Sequence, residues 1–414
     1  SDLMNKPKHI DPLPYFSTRD HCLAIAGRTP IELDQFDQPF YVYSKQRIAQ
    51  KLSALRSAMP AKIHLHYAVK ANPMADLIAW LSPHCEGLDV ASGGELQKAL
   101  SLGIAGQDIS FAGPGKSLNE LTLAIESDCT LNIESETELT RVIELSQQLK
   151  KPARVALRLN PDFELKSSGM QMAGGAKPFG VDAETALPIL QRMLTAGLNF
   201  RGIQIYAGSQ NLSASAINEA MTQTFALGAQ LSQELGQPLP SFNVGGGFGV
   251  PYFAGQEELD LDAVGKHLHG LMQDYQSVFA ETDIILELGR YLVADAGVYL
   301  CKITDKKVSR GETFLITNGG LHHSLAASGN FGQVIRKNYP VLIANKLEAI
   351  DQGDTEEVTI VGPLCTPLDI LAKHTQLPKA DIGDYVAVFQ TGAYGYSASP
   401  KDFLGHPAAH EILL

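Results

Sequence analysis

One pattern constrains this chain more than any other: short runs with alternating faces recur eight times before residue 291, with helix-like stretches between them. IHLHYAVK (63–70) puts Ile63, Leu65, Tyr67 and Val69 on one side and His64, His66, Ala68 and Lys70 on the other. The alternation returns in GLDV (87–90), ISFA (109–112), LNIE (131–134), ARVALRLN (153–160), GIQIYAGS (202–209), FNVGGG (242–247) and DIILELGR (283–290). A period of two marks strands, and segments such as GGELQKALSLG and SETELTRVIELSQQL supply helices between them. Strand–helix alternation predicts parallel βαβ units. Eight of them, each with one apolar and one mixed face, predict an α/β fold closed into a (β/α)8 TIM barrel. An open doubly wound sheet would bury both faces of its central strands and show more continuous apolar runs.

After Arg290 the strand-like runs continue (GVYLCKIT, TFLIT, EVTIVG, DYVAVF), but long amphipathic helices become scarce. This predicts a second, mainly β domain that also takes in the N-terminal segment with QPFYVYS. The expected division is a barrel over 45–288 and a β domain from 1–44 and 289–414. With 33 Lys+Arg against 45 Asp+Glu the net charge is −12, which argues against nucleic acid or an anionic membrane as partner. A composition 44% hydrophobic and 19% charged is that of a globular protein and excludes dominant disorder. No apolar run approaches the roughly 18 residues of a membrane span. The opening SDLMNKPKH is read as a cloning remnant ahead of Met4, with no secretion signal. The five cysteines (Cys22, Cys85, Cys129, Cys301, Cys365) are scattered without a CxxC pair, so a cytoplasmic location, no disulfide framework and no metal site are expected.

In a barrel of this kind the chemistry gathers at the C-terminal strand ends. Those ends carry Lys70, Asp89, Glu134, Arg158, Ser209, Gly245–Gly247, Glu287 and Arg290. Any one of them is explained as a satisfied rim residue; their concentration on one rim points to a site. A lysine ending a buried strand on the inward face is either a desolvated Schiff-base nucleophile or half of a salt bridge to Asp89 or Glu134, and the residues alone leave both open. The glycine run is either a tight turn or, beside Ser209 and Arg290, a phosphate cradle. A Schiff-base lysine with a phosphate site points to pyridoxal phosphate, with Glu287 facing the pyridine nitrogen.

These residues carry a resemblance that spans nearly the whole chain. The sequence resembles the fold type III pyridoxal-phosphate-dependent decarboxylases, the group of ornithine and diaminopimelate decarboxylases. HYAVKANP resembles the family's lysine motif, which implies that Lys70 carries the cofactor. GLDVASGGEL implies Asp89 and Glu95 near it, and VGGGFG resembles the phosphate-binding glycines Gly245, Gly246 and Gly247. ELGR stands where the family has EPGR, implying Glu287 on the ring nitrogen, Gly289 in the turn and Arg290 at the phosphate. GPLCTPLD matches GPxCxxxD, implying that Cys365 returns a proton to the substrate carbon, and GAY implies Tyr394 at the phosphate. The resemblance further implies a homodimer in which Cys365 and Tyr394 approach Lys70 from the opposite chain.

Departures bear on the substrate. Tyr206 stands where ornithine-type enzymes stack a histidine on the cofactor ring. Thr366 replaces the acid that often follows the motif cysteine and receives a basic substrate's distal ammonium; Asp369 or Glu164 would have to substitute. His322 and His323 fall in a region that borders substrate in relatives, where a carboxylate or carbonyl would be received. The Gly/Met-rich segment 164–180 resembles the family's specificity loop. The chain looks closest to the branch acting on carrier-protein-bound amino acids or associated with exosortase clusters. The expected substrate is therefore an acidic or neutral amino acid, free or on an acyl carrier protein, and Lys302, Lys306, Lys307 and Arg310 are a candidate basic rim. The alternatives are decarboxylation of a free basic amino acid (diaminopimelate, ornithine or lysine), a related racemase, which GPxCxxxD disfavours, and a non-catalytic regulatory homologue.

Overall fold

The structure, a computed structural model, describes residues 11–166, 169–171, 174–350 and 353–414. The SDLMNKPKH opening and Ser167, Ser168, Met172 and Ala173 of the 164–180 segment lie outside the described residues. The chain divides into two compact units: Leu52–Val250 with Glu258–Gly289, and the described part of Ser1–Lys51 with Pro251–Glu257 and Arg290–Leu414.

The first unit is the barrel. Its strands are β1 (His64–Ala68), β2 (Gly87–Val90), β3 (Ile109–Phe111), β4 (Thr130–Ile133), β5 (Arg154–Asn160), β6 (Asn199–Ile205), β7 (Ser241–Asn243) and β8 (Asp283–Leu288). All neighbours are parallel, β8 pairs with β1, and the β4–β5 pairing completes the ring. The alternation explains the wall: Leu65, Tyr67, Leu88, Val155, Leu157, Ile203 and Leu286 are buried on one face. The other face carries His66, Asp89, Asn132, Gln204 and Asn243, also buried. Gln204 on β6 bonds Glu287 on β8 although β7 lies between those strands, so this polar face is the lumen. Serines start several helices a few residues beyond a strand end, Ser92, Ser117, Ser135 and Ser213 each accepting a backbone N–H as N-caps. The βα connections are thereby kept short and hold the rim residues on fixed positions.

Strand ends differ from the sequence expectation. β1 stops at Ala68 and Lys70 stands in a 3-10 turn, Val69–Ala71, exposed at the rim rather than buried on the strand. Likewise β6 ends at Ile205, β7 at Asn243 and β8 at Leu288, leaving Tyr206–Ser209, Gly245–Gly247 and Gly289 in loops or turns and Arg290 at the start of the short helix Arg290–Val293.

The second unit is built on β9 (Gly297–Ser309), flanked by β10 (Glu312–Thr317) on one side. β10 leads to β11 (Thr355–Val361) and β12 (Ile370–Pro378), and β9 also pairs with β13 (Tyr385–Phe389). Phe40–Tyr43 pairs with β9, and His410–Leu413 pairs with Phe40–Tyr43, so both ends of the described chain enter this sheet. Leu23, Phe40, Val42, Val298, Leu300, Ala387 and Phe389 form its core. Sequence reading missed β12, Val341–Ile343 and His410–Leu413.

Candidate active site

Inside the barrel three titratable side chains meet on the lumen floor. His66 Nδ1 lies 2.8 Å from Asp89 Oδ1, and Gln204 Nε2 donates to Glu287 Oε2 at 3.1 Å. Burial pushes His66 down to about 4, so the ring is neutral at pH 7 and its Nδ1–H donates to Asp89. Burial, then the neighbouring charge of Asp89, pushes Glu287 up to about 8, and burial lifts Asp89 to about 6. A side-chain hydrogen bond between Glu287 and Asp89 adds to this, lowering Asp89 and raising Glu287. The charge of Lys70 acts on Asp89, Glu95 and Glu287, lowering all three against burial, so the rim lysine converges on this floor. Glu95 also accepts the Ala91 N–H at 2.7 Å and so fixes the turn after β2.

The glycine run follows β7. Gly245 and Gly247 have φ of +73° and +75°, and a Cβ on Gly246 would meet the Glu287 carbonyl oxygen at 2.5 Å. Only glycine lets this loop lie on β8 with its backbone bare. Among the described residues no acceptor meets the N–H of Gly246 or Gly247. Asn211 ties the neighbouring loop to it: its N–H donates to Gly247 O and its C=O accepts from Gly249 N–H, both at 2.9 Å. Ser209, exposed, lies on that second loop. Tyr206 is half-buried and borders the position where a Gly245 Cβ would point. Arg158 bonds Glu134 at 3.2 Å, its guanidinium 5.9 Å from the Tyr206 ring centre. Glu134 is thereby a holder of Arg158 and also accepts the Gly113 and Gly180 N–H groups.

In the β unit, Arg290 donates to Tyr252 Oη at 2.7 Å and its guanidinium lies 4.5 Å from the centre of the Tyr394 ring. Tyr394 thus stands with Arg290 of its own chain, which corrects the expectation that it reaches the site from the opposite chain. Cys365 is exposed on the turn after β11. Thr366 Oγ1 accepts the Leu368 N–H of that turn. Asp369 is buried, and its two oxygens accept the N–H groups of Leu321 at 2.7 Å and Leu364 at 3.0 Å. That commitment corrects the expectation of a substrate-facing Asp369: it is a clamp for the turn. Glu164 is held by Lys177 at 2.9 Å. His323 is framework, bonded to Tyr299 Oη at 2.7 Å and Pro407 O at 2.8 Å. His322 stacks on it at 3.8 Å with 0% exposure, and burial pushes it down to about 3. A ring with no accessible surface does not face substrate, so that expectation is corrected as well.

Sequence reasoning missed His66, Gln204, Asn211 and Tyr252. His66 was findable, since it shares a strand face with Lys70; Tyr252 was not, because Pro251–Glu257 leaves the barrel for the β unit.

This arrangement fits pyridoxal phosphate. Asp89 and Glu287 offer carboxyl groups to a protonated ring nitrogen, whose charge would draw Glu287 back to its carboxylate form, the glycine loop offers bare N–H groups to a phosphate, and Lys70 stands at the rim, where its charge lowers Asp89 and Glu287.

Comparison with known proteins agrees. Residues 45–294 match the family model "Pyridoxal-dependent decarboxylase, pyridoxal binding domain". The chain is 38% identical to the L-glutamyl-[BtrI acyl-carrier protein] decarboxylase of Niallia circulans, over 92% of this chain and 89% of that protein. It is 33% identical to the diaminopimelate decarboxylase of Aquifex aeolicus, over 97% of this chain and 92% of that one. A crystal structure of diaminopimelate decarboxylase from M. jannaschii with L-lysine superposes with a TM-score of 0.86 at 26% identity, covering 98% of this chain and 94% of that one.

Proposed function

The chain belongs to the pyridoxal-dependent decarboxylase family, and on that premise we propose that it removes the α-carboxylate of an acidic amino acid, L-glutamyl being the leading candidate, held as a thioester on an acyl carrier protein. It is a pyridoxal-phosphate-dependent carboxy-lyase. The observation that carries the substrate reading is the Cys365 turn: Thr366 is neutral and Asp369 gives both oxygens to backbone N–H groups. With Glu164 paired to Lys177, each acid nominated to receive a distal ammonium is already engaged. A buried unpaired ammonium costs several kcal/mol, roughly enough to exclude ornithine or lysine as good substrates. The similarity to a glutamyl-carrier decarboxylase supports the same direction.

The residues assigned to the cofactor are Lys70, Asp89, Arg158, Tyr206, Ser209, Gly245, Gly246, Gly247, Glu287, Gly289, Arg290 and Tyr394. When bound, the group supplies an electron sink for the electron pair left as CO2 departs. Lys70 is the amine that would hold it. Glu287, anchored by Gln204, would face the ring nitrogen and be drawn to its carboxylate form by the charge there, with Asp89, oriented by His66, beside it. The glycine-loop N–H groups, Ser209 and Arg290 would meet the phosphate; Tyr252 and Tyr394 keep Arg290 in place. Tyr206 would pack against the ring. Cys365 holds the proton that is returned to Cα, and the working form is a homodimer in which Cys365 serves the partner's site.

The test is CO2 release from ornithine, lysine, meso-diaminopimelate, free glutamate and glutamyl-S-pantetheine. Turnover confined to the glutamyl compounds, with the thioester preferred, is expected. Comparable turnover of free lysine or ornithine overturns the reading. A Lys70→Ala variant loses cofactor absorbance together with activity.

A further inference from the structure

We infer that His66 is a positioning residue: its Nδ1–H holds Asp89 as the carboxylate, so that the single proton shared by Asp89 and Glu287 stays on Glu287. The inference deepens the cofactor assignment above and rests on it in one respect, that Glu287 is the acid placed toward the ring nitrogen. The imidazole occupies a space made for it. His66 on β1 stands directly beside Gly87 on β2 in the parallel register. A Cβ on Gly87 would meet His66 Nε2 at 2.6 Å and the Asp108 carbonyl oxygen at 2.9 Å. The ring therefore leans over the bare backbone of β2 and reaches the next residue on that lumen face, Asp89, with Nδ1 2.8 Å from Oδ1. Only 11% of the His66 side chain is exposed.

This geometry decides where the hydrogens stand. A neutral imidazole carries one N–H. On Nδ1 that hydrogen has Asp89 as its acceptor; on Nε2 it would have none among the described residues. With the Nδ1–H aimed at it, Asp89 accepts, and two carboxyl groups that touch in a buried lumen do not both ionise. The one proton of the pair then lies on Glu287, whose O–H donates to Asp89, while Gln204 Nε2 donates to Glu287 Oε2 at 3.1 Å. The opposite placement, a protonated Asp89 donating to a bare Nδ1, would force the imidazole hydrogen onto Nε2. Glu287 at about 8, above Asp89 at about 6, agrees with the first placement. The other charged groups around the set do not reverse it. Lys70 lowers both acids and Arg158 lowers Glu287, yet burial keeps both raised. Glu86 and Asp108 raise His66 too little to overcome its burial, and the raised thiols of Cys85 and Cys129 add no charge at pH 7. The cofactor-free chain thus stores a proton on the carboxyl assigned to face the ring nitrogen.

The test is nuclear magnetic resonance on the full chain without cofactor. With histidine labelled in nitrogen-15, the signals that vanish in His66→Asn should show a protonated Nδ1 and a bare Nε2 at pH 7. With the side-chain carboxyls labelled in carbon-13, Glu287, identified by Glu287→Gln, should titrate near pH 8 and Asp89, identified by Asp89→Asn, near pH 6. His66→Phe keeps a ring of similar size and loses the donor, so the two titrations should converge or exchange order. His66→Asn, whose side-chain N–H can stand in for Nδ1–H, should restore the order. A protonated Nε2 on His66 overturns the inference, as does an order of the two acids that survives His66→Phe. An order lost equally in both variants reduces His66 to a space-filler and overturns it too. Should His66→Phe fail to fold, the wild-type tautomer decides alone. Added pyridoxal phosphate should pull the Glu287 titration below about pH 7, because the carboxyl then faces a cation. If that titration stays in place while the tautomer and the order hold, the assignment of Glu287 to the ring fails and the role of His66 stands.

Discussion

Glu287 is the residue on which the site's electrostatics turn. Burial beside Asp89 lifts it from an ordinary 4.5 to about 8 and Asp89 from 3.8 to about 6. Between those ordinary and raised values the folded chain holds protons that the unfolded chain has lost, so stability falls as pH rises through the window. His66 acts the other way: lowered from 6.5 to about 4, it resists a proton that the unfolded chain takes up, and its contribution is lost as pH falls through 6.5 to 4. Three lowered histidines, His66, His322 and His323, oppose Glu287 near their ordinary 6.5, so Glu287 dominates only in the interval from pH 7.5 to 8.5. The Tm of the cofactor-free protein should drop by about a degree or two across it, and Glu287→Gln should flatten the drop; an unchanged slope in the variant contradicts the assignment. In the loaded enzyme the same substitution should reduce kcat by about 10²–10³, as removal of a buried charge partner does elsewhere. Bound cofactor should remain visible in the absorbance spectrum.

At the scale of elements, the eight barrel strands were legible because period-two alternation is a local property written in each run. Where each strand stops was not. Lys70 leaves the strand for a 3-10 turn, and the glycine loop is shaped by the Glu287 carbonyl some forty residues away. Asp369 shows the same limit more sharply, since its motif suggested a substrate contact. Its actual partners are the N–H of Leu364 in its own turn and that of Leu321, 48 residues distant. Nothing in the local pattern around GPLCTPLD encodes that second bond. Two buried backbone donors lose their acceptor in Asp369→Ala, so the β unit should lose roughly 2–4 kcal/mol in denaturant unfolding. Thr366→Ala, which breaks one bond of a half-buried hydroxyl, should lose under about 1 kcal/mol. Equal effects from the two would mean that Asp369 is not the clamp.

For the molecule as a whole, the working unit is the last matter that the proposed chemistry depends on. The β unit exposes Phe331, Val334 and Ile335, and Asn330 of the same segment bonds the Leu368 carbonyl at 3.0 Å, which brings exposed Leu368 and the Cys365 turn into one region. A cluster of exposed apolar side chains of this kind marks an association surface rather than a solvent face. If two chains meet through it with two-fold symmetry, each Cys365 is delivered to the other chain's Lys70, and the two functions separate genetically. Lys70→Ala and Cys365→Ala chains are each inactive as pure dimers. Mixed in equal amounts and allowed to exchange, about half the dimers carry one chain of each kind, and each of these holds one site with both residues intact. Activity should then recover to about a quarter of wild type. It should vanish again when Val334→Asp and Ile335→Asp are added to both chains, with sedimentation showing monomers. Recovery without any exchange of chains has no route in this scheme. An absence of recovery despite proven exchange would place Cys365 in the service of its own chain.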